Sequence, residues 1–116
     1  MTDISQLRIF LCLLPTKMTY SFDTLMGMAE EIFDQDPLSG HLFLFVNRCR
    51  DRIKILFWDR DGFCIVYKRL EVGTFALPRS SGNLPGLELE YSQLAKLLDG
   101  VDFQSGRRRK RYRRVG

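Results

Sequence analysis

The chain of 116 residues has one histidine, one tryptophan and three cysteines. It has no apolar run near the roughly 18 residues that a bilayer-spanning helix needs. A lone His41 cannot form a multi-imidazole metal site, and no Cys-x-x-Cys pair or acidic cluster at ligand spacing accompanies it. Cys12, Cys49 and Cys64 are odd in number and far apart, which excludes a fully paired disulfide scaffold and fits a reducing cytoplasm. The apolar patch Ile9 to Leu14 is six residues long, is followed by Pro15 and Lys17, and lacks a small-residue cleavage site. It therefore reads as a buried strand and not as a secretory signal. A phosphate-cradling Gly-rich loop, a Gly-x-Ser-x-Gly elbow and a Cys/His dyad are all missing, and Asp34-Gln35-Asp36 lacks the other ligands of a calcium loop. Asp59 and Asp61 fall in Trp-Asp-Arg-Asp-Gly, where a hairpin wants Asp and Gly for backbone reasons. With Asp23 they define a rival reading, a small nuclease or nucleotidyl-transfer subunit. The composition as a whole fits a binding or assembly protein with no metal, no cofactor and no enzymatic activity.

The charge is unevenly distributed. Lys and Arg total 18 against 14 Asp and Glu, a formal charge of +4. Seven of those cations, Arg107, Arg108, Arg109, Lys110, Arg111, Arg113 and Arg114, lie within eight residues, with Tyr112 among them. Without them, eleven basic residues face fourteen acidic ones, so the body is near −3. Closely spaced cations repel one another and have no apolar anchor except Tyr112, so residues 107–116 are predicted to be a disordered basic tail on a single domain, 1–106. Such an arm holds polyanions, DNA phosphates foremost, with little sequence preference.

The body reads as α+β: a mostly antiparallel sheet with a central three-stranded meander, plus two helices. Residues 7 to 14 make a first strand ended by Pro15. Phe22, Leu25, Met26, Ala29, Ile32 and Phe33 recur at intervals of three and four, which predicts a helix over 21–33 with Ser21 as N-cap and Asp23 in its first turn. Asp36 to Gly40 is turn chemistry. Strands are expected at His41 to Asn47, Arg52 to Trp58 and Phe63 to Leu70, the last pair joined by a tight turn with Gly62 at positive φ. Thr74 to Leu77 can add a short strand, Arg79 to Gly86 reads as a loop and Leu87 to Glu90 as a brief extended piece. A second helix follows over 91–98, capped by Ser92 and ended by Gly100, with Leu94, Ala95, Leu97 and Leu98 facing inward.

Pairing Asn47 with Arg52 and Trp58 with Phe63 sorts the meander into two faces. One carries Leu42, Leu44, Val46, Ile53, Ile55, Phe57, Cys64 and Val66 and is a core face. The other mixes rings, Phe43, Phe45, Trp58, Phe63 and Tyr67, with the cations Arg52, Lys54 and Arg69. An open face of that kind can stack unpaired bases and hold phosphates. A face covered by a second layer would instead leave the cations at the rim, their stems on the apolar surface.

The run Asp36-Pro-Leu-Ser-Gly-His-Leu-Phe-Leu-Phe45, then Asp51-Arg-Ile-Lys-Ile-Leu-Phe-Trp-Asp59, then Gly62-Phe-Cys64 through Lys68-Arg-Leu-Glu-x-Gly73-x-Phe75, closely resembles the TnpB accessory proteins of insertion sequences of the IS66 type. The resemblance spans about residues 7 to 103. It implies a bacterial, cytoplasmic, non-catalytic participant in DNA transposition, working beside a larger transposase that carries the strand chemistry. It implies DNA, the transposase and another element-encoded accessory protein as partners, no membrane, and leaves self-association open. The cations matching the family pattern are Arg52, Lys54, Lys68 and Arg69. With the arm, they form the expected nucleic-acid-binding set; the alternative is a protein–protein interaction module without nucleic-acid contact. Two departures stand out: Met18-Thr-Tyr-Ser-Phe-Asp-Thr-Leu25 lacks two cations common before the first helix of relatives, and Leu77-Pro78 replaces a frequent Trp-Pro.

Overall fold

The four residues Ile9–Cys12 (β1) are apolar without alternation, and all four are buried. That pattern needs cover on both faces and a neighbour on both edges. The computed structural model, which describes residues 7–79 and 82–99, supplies both. The other strands are Leu42–Val46 (β2), Arg52–Asp59 (β3), Gly62–Arg69 (β4) and Gly86–Leu89 (β5). They form one sheet in the order β4-β3-β2-β1-β5. β1 runs parallel to β2 and antiparallel to β5, and the other pairs are antiparallel, so the expected mostly antiparallel α+β fold stands. The domain boundary expected at residue 106 and the tail beyond it lie outside the described residues.

The meander has the register read from its loop lengths. Val46 faces Ile53, Trp58 faces Phe63, and the Asn47 amide donates to the Arg52 carbonyl. The tight turn differs in one detail. Positive φ falls on Arg60, at 54°, because Gly62 is already a strand residue paired with Asp59.

The helix Phe22–Phe33 (α1) begins after Ser21, whose side chain makes no capping bond, and ends on Asp34 in the left-handed region at φ 51°. Its Leu25 and Ala29 press on Phe10, Cys12, Phe43, Phe45 and Leu56. The ring face of the sheet is therefore a second core. Phe43 and Phe45 are 0% exposed, so the reading of these rings as an open base-stacking surface is overturned. Phe10 stacks on Phe43 at 5.5 Å, and Phe33 closes the group. A Cβ at Gly86 would run into the Phe33 ring and approach the Leu11 carbonyl at 3.0 Å, so only glycine lets β5 lie this close to the helix end.

The opposite face packs Ile9, Leu11, Leu44, Val46, Ile53 and Ile55 against Phe75 and the helix Tyr91–Asp99 (α2). The molecule thus has three layers: α1, the sheet, and a layer of α2 with the segment after β4. Three expectations for that last layer are corrected. Thr74 to Leu77 is not a strand, because the Phe75 amide is taken by the Arg50 carbonyl of a loop and its ring is buried in the core. Ser92 lies within α2 and not at its cap; Gln93 Oε1 accepts from the Glu90 amide ahead of the first turn, half of a capping box. Ala95 is exposed, and the inward stripe is Leu94 and Leu97 with Leu98 half-buried. Gly100 lies outside the described residues.

Among the described residues, no helix is long and apolar enough to cross a membrane.

Candidate nucleic-acid interface

The parallel pair β1–β2 and the hairpin β3–β4 place four features at one end of the sheet: the segment after β1, the β2–β3 loop, the start of β3 and the end of β4. There a cleft of about 560 Å³ opens, lined by residues 15–19, residues 47–49, Arg52 and Tyr67. It lies beyond the carboxyl ends of the two parallel strands, where α/β sheets commonly bind ligands. A smaller recess lies between Arg52, Tyr67 and Arg69.

Both walls are pinned. The Thr16 amide donates to the Val46 carbonyl at 2.9 Å, which ties the first wall to the end of β2. In the second wall, Asn47 Oδ1 accepts from the amides of Asp51 and Arg52, and Asn47 Nδ2 donates to the Asp51 carboxylate at 2.7 Å. Arg50 takes a left-handed φ of 57° to close that loop. A site built this way is formed before any ligand arrives.

The cations of the cleft are poorly neutralised. Among the described residues the ion pairs are Arg8–Glu88 and Arg69–Glu71, so Lys17, Arg48 and Arg52 have no carboxylate partner there. Arg52 and Arg69 are direct cross-strand neighbours, an arrangement that costs energy unless an anion intervenes. Glu71 relieves Arg69 alone, at 2.9 Å.

Of the sequence-predicted cations, the fold brings Arg52 and Arg69 together. Lys54 is 8% exposed; its Nζ donates to the Tyr20 carbonyl at 2.8 Å and lies 5.0 Å from the centre of the Tyr67 ring. Its ammonium is thus committed to holding the chain ahead of α1 and the Tyr67 ring. Lys68 is exposed, and strand alternation places it on the other face of β4 from Tyr67. Arg107, Arg108, Arg109, Lys110, Arg111, Arg113 and Arg114 lie outside the described residues. Lys17 and Arg48 were missed as site residues. Both lie in connecting segments that meet only because β1 pairs with β2, and a parallel pair has no local turn signal in the sequence.

His41 and the acidic residues sit elsewhere. His41 Nδ1 accepts from the Arg8 amide at 3.0 Å at the opposite end of β2, and Arg8 forks onto Glu88 across the β1–β5 pair. Burial, then the nearby Arg8 charge, push the His41 pKa below its ordinary value of 6.5. The fold therefore favours neutral His41. Its contribution to stability is fully present above pH 6.5 and is lost as pH falls through the lowered value. Thermal melts between pH 7 and 5.5 are expected to show a falling Tm, and His41→Asn is expected to flatten that dependence; an unchanged slope would remove His41 as its cause. Asp59 ends β3 and Asp61 lies in the β3–β4 turn, both away from the cleft, whereas Asp23 lies in the first turn of α1. Among the described residues, no three His, Cys, Asp or Glu side chains group to hold a metal ion. Burial pushes the Cys12 thiol pKa up.

The mixed sheet with its two helices and its pinned, cation-lined cleft defines a small α+β module. The chain belongs to the IS66 Orf2-like protein family, whose model matches residues 7–108. That membership gives it an accessory role in the transposition of insertion sequences. An uncharacterized protein, y4hO, of Sinorhizobium fredii (strain NBRC 101917 / NGR234) is 30% identical over 109 residues, covering 94% of this chain and 93% of that one. A second protein of the same strain, y4jC, also uncharacterized, is 25% identical over 103 residues, covering 89% and 86%. No solved structure matches the chain.

Proposed function

We propose that the protein is a non-catalytic accessory factor of transposition that holds DNA through its phosphates in the bacterial cytoplasm and docks on the transposase of the same element. The observation that carries this reading is charge segregation: a body near −3 bears seven cations in residues 107–114. Lys17, Arg48 and Arg52 extend the cationic track at the cleft without carboxylate partners among the described residues. Phosphate contacts of this sort release counterions and carry no base information, so binding is steeply salt-dependent and tolerant of sequence.

Fluorescence anisotropy of the whole chain on labelled duplexes of unrelated sequence, between 50 and 200 mM salt, tests it. If all seven arm cations engage phosphates, log K falls against log salt with a slope near −6, from about 0.9 per phosphate, and the duplexes bind alike. Salt-independent binding, or none, would overturn the reading.

Docking on a protein partner draws on a different feature. β4 ends the sheet, with no strand on its outer edge among the described residues, and Val66 and Tyr67 are half-exposed. Such an edge can accept a partner strand. If the module meets only proteins, the transposase co-purifies with it after nuclease treatment and duplex DNA does not bind.

A further inference from the structure

We infer that the cleft takes an unpaired nucleotide of a single DNA strand, with a base on the open face of Tyr67 and the flanking phosphates on Arg52, Arg48 and Lys17. The inference rests on the DNA-binding reading above and names the form of DNA this part of the surface accepts.

Tyr67 is a prepared platform. It faces Lys54 across the β3–β4 ladder, and the Lys54 ammonium, itself fixed by the Tyr20 carbonyl, lies 5.0 Å from the ring centre. One side of the ring is thus held by a cation, while the residue remains 49% exposed. Of the other large rings of this face, Phe43 and Phe45 are sealed under α1, and the half-buried Trp58 and Phe63 pack edge-on against each other at 5.1 Å, so Tyr67 is the exposed ring. Aromatic platforms bind bases of any identity, but only bases withdrawn from a duplex, because paired bases show their edges and not their faces.

The charges fit the same ligand. Arg52 lines both the cleft and the smaller recess beside Tyr67, and no carboxylate among the described residues neutralises it. It also faces Arg69, so an anion between or beside the two removes a cross-strand repulsion. Lys17 and Arg48 stand on the two pinned walls, so with Arg52 three cations line the same cleft as the ring. A cleft of about 560 Å³ lies within the 300–1,000 Å³ typical of small-ligand sites and is far too small for a duplex.

The test compares the whole chain on oligothymidylate dT12 and on a duplex of equal length at fixed salt. Tyr67→Val removes the ring but keeps a residue suited to an edge strand, and Tyr67→Phe keeps the ring. Stacking measured by truncation is worth about 1–3 kcal/mol per base, or about 5- to 150-fold. Tyr67→Val is expected to lower the dT12-to-duplex affinity ratio about tenfold, whereas Tyr67→Phe preserves it. A strand carrying 5-iodouracil is expected to photocrosslink to the Gly62–Arg69 strand. An unchanged ratio in Tyr67→Val, or crosslinks only elsewhere, would overturn the cleft assignment while duplex binding survives. Loss of all DNA binding by the parent chain would instead overturn the DNA reading and this inference with it. Binding of thymidine monophosphate as tight as that of dT12 would identify a free nucleotide as the occupant and remove the strand.

Discussion

Phe43→Ala is expected to destabilise the protein by about 3–5 kcal/mol, the usual cost of emptying a buried phenylalanine site. Phe43 is 0% exposed, is stacked on Phe10 with ring planes 15° apart, and touches Phe33 at 6.0 Å. Leu25 and Ala29 of α1 close over it. The site cannot collapse to fill the void, because Phe10 and Phe33 are fixed by neighbours on β1 and at the end of α1. Domains of this size are stable by about 5–15 kcal/mol in total, so the loss is a large share of the whole. Urea unfolding should show a lowered midpoint at unchanged m. Leu38→Ser, at a residue 51% exposed, is the control and is expected to stay within about 0.5 kcal/mol of the parent. A cost below about 1 kcal/mol for Phe43→Ala would mean that α1 does not seal this face in solution, and the rings would again be available to a ligand.

That experiment turns on the point where sequence and structure part. Strand alternation and two four-residue gaps were enough to define the meander, its register and the membership of each face. The period of three and four in 21–33 was enough to define α1. Neither signal says what lies on top of a face. A sheet face mixing phenylalanines with Arg52 and Lys54 looks the same in sequence whether a helix covers it or not. The structure resolves the ambiguity residue by residue: the rings nearest β1 go under α1, Lys54 is drawn in with its ammonium on a backbone carbonyl, and Arg52, Tyr67 and Arg69 remain at the rim.

The cleft was illegible for a related reason. Its walls come from residues about 30 apart in sequence, brought together by the parallel β1–β2 pair, and the crossover that makes such a pair has no short-range signature. Thr74 to Leu77 failed as a strand for the opposite reason. Its apolar content belonged to a loop that inserts Phe75 into the core, where one buried ring does the work that a strand of alternating residues was expected to do. Local pattern was therefore reliable where hydrogen bonding is local or closed by short turns, and silent where tertiary contacts decide.

Truncation to residues 1–106 is expected to abolish most DNA affinity and most of its salt dependence. The arm contributes seven of eighteen cations, and removing it turns a chain of charge +4 into one near −3. For six to ten phosphate contacts, raising salt from 50 to 200 mM costs about 10³- to 10⁵-fold in affinity; the whole chain should fall within that range. The truncated chain keeps Lys17, Arg48, Arg52 and Arg69, of which Arg69 is already paired with Glu71. With no more than three free cations at the cleft, its slope should not exceed about −3, and its net negative charge opposes approach to a polyanion. The core described between residues 7 and 99 is untouched, so the melting temperature should not change. If the truncated chain retained the parent slope, the folded body would be the seat of phosphate binding and the arm would be dispensable. If it instead lost duplex binding but kept dT12 binding at low salt, the two parts would act on different forms of DNA: the arm on the backbone of any duplex, the cleft on a strand already opened.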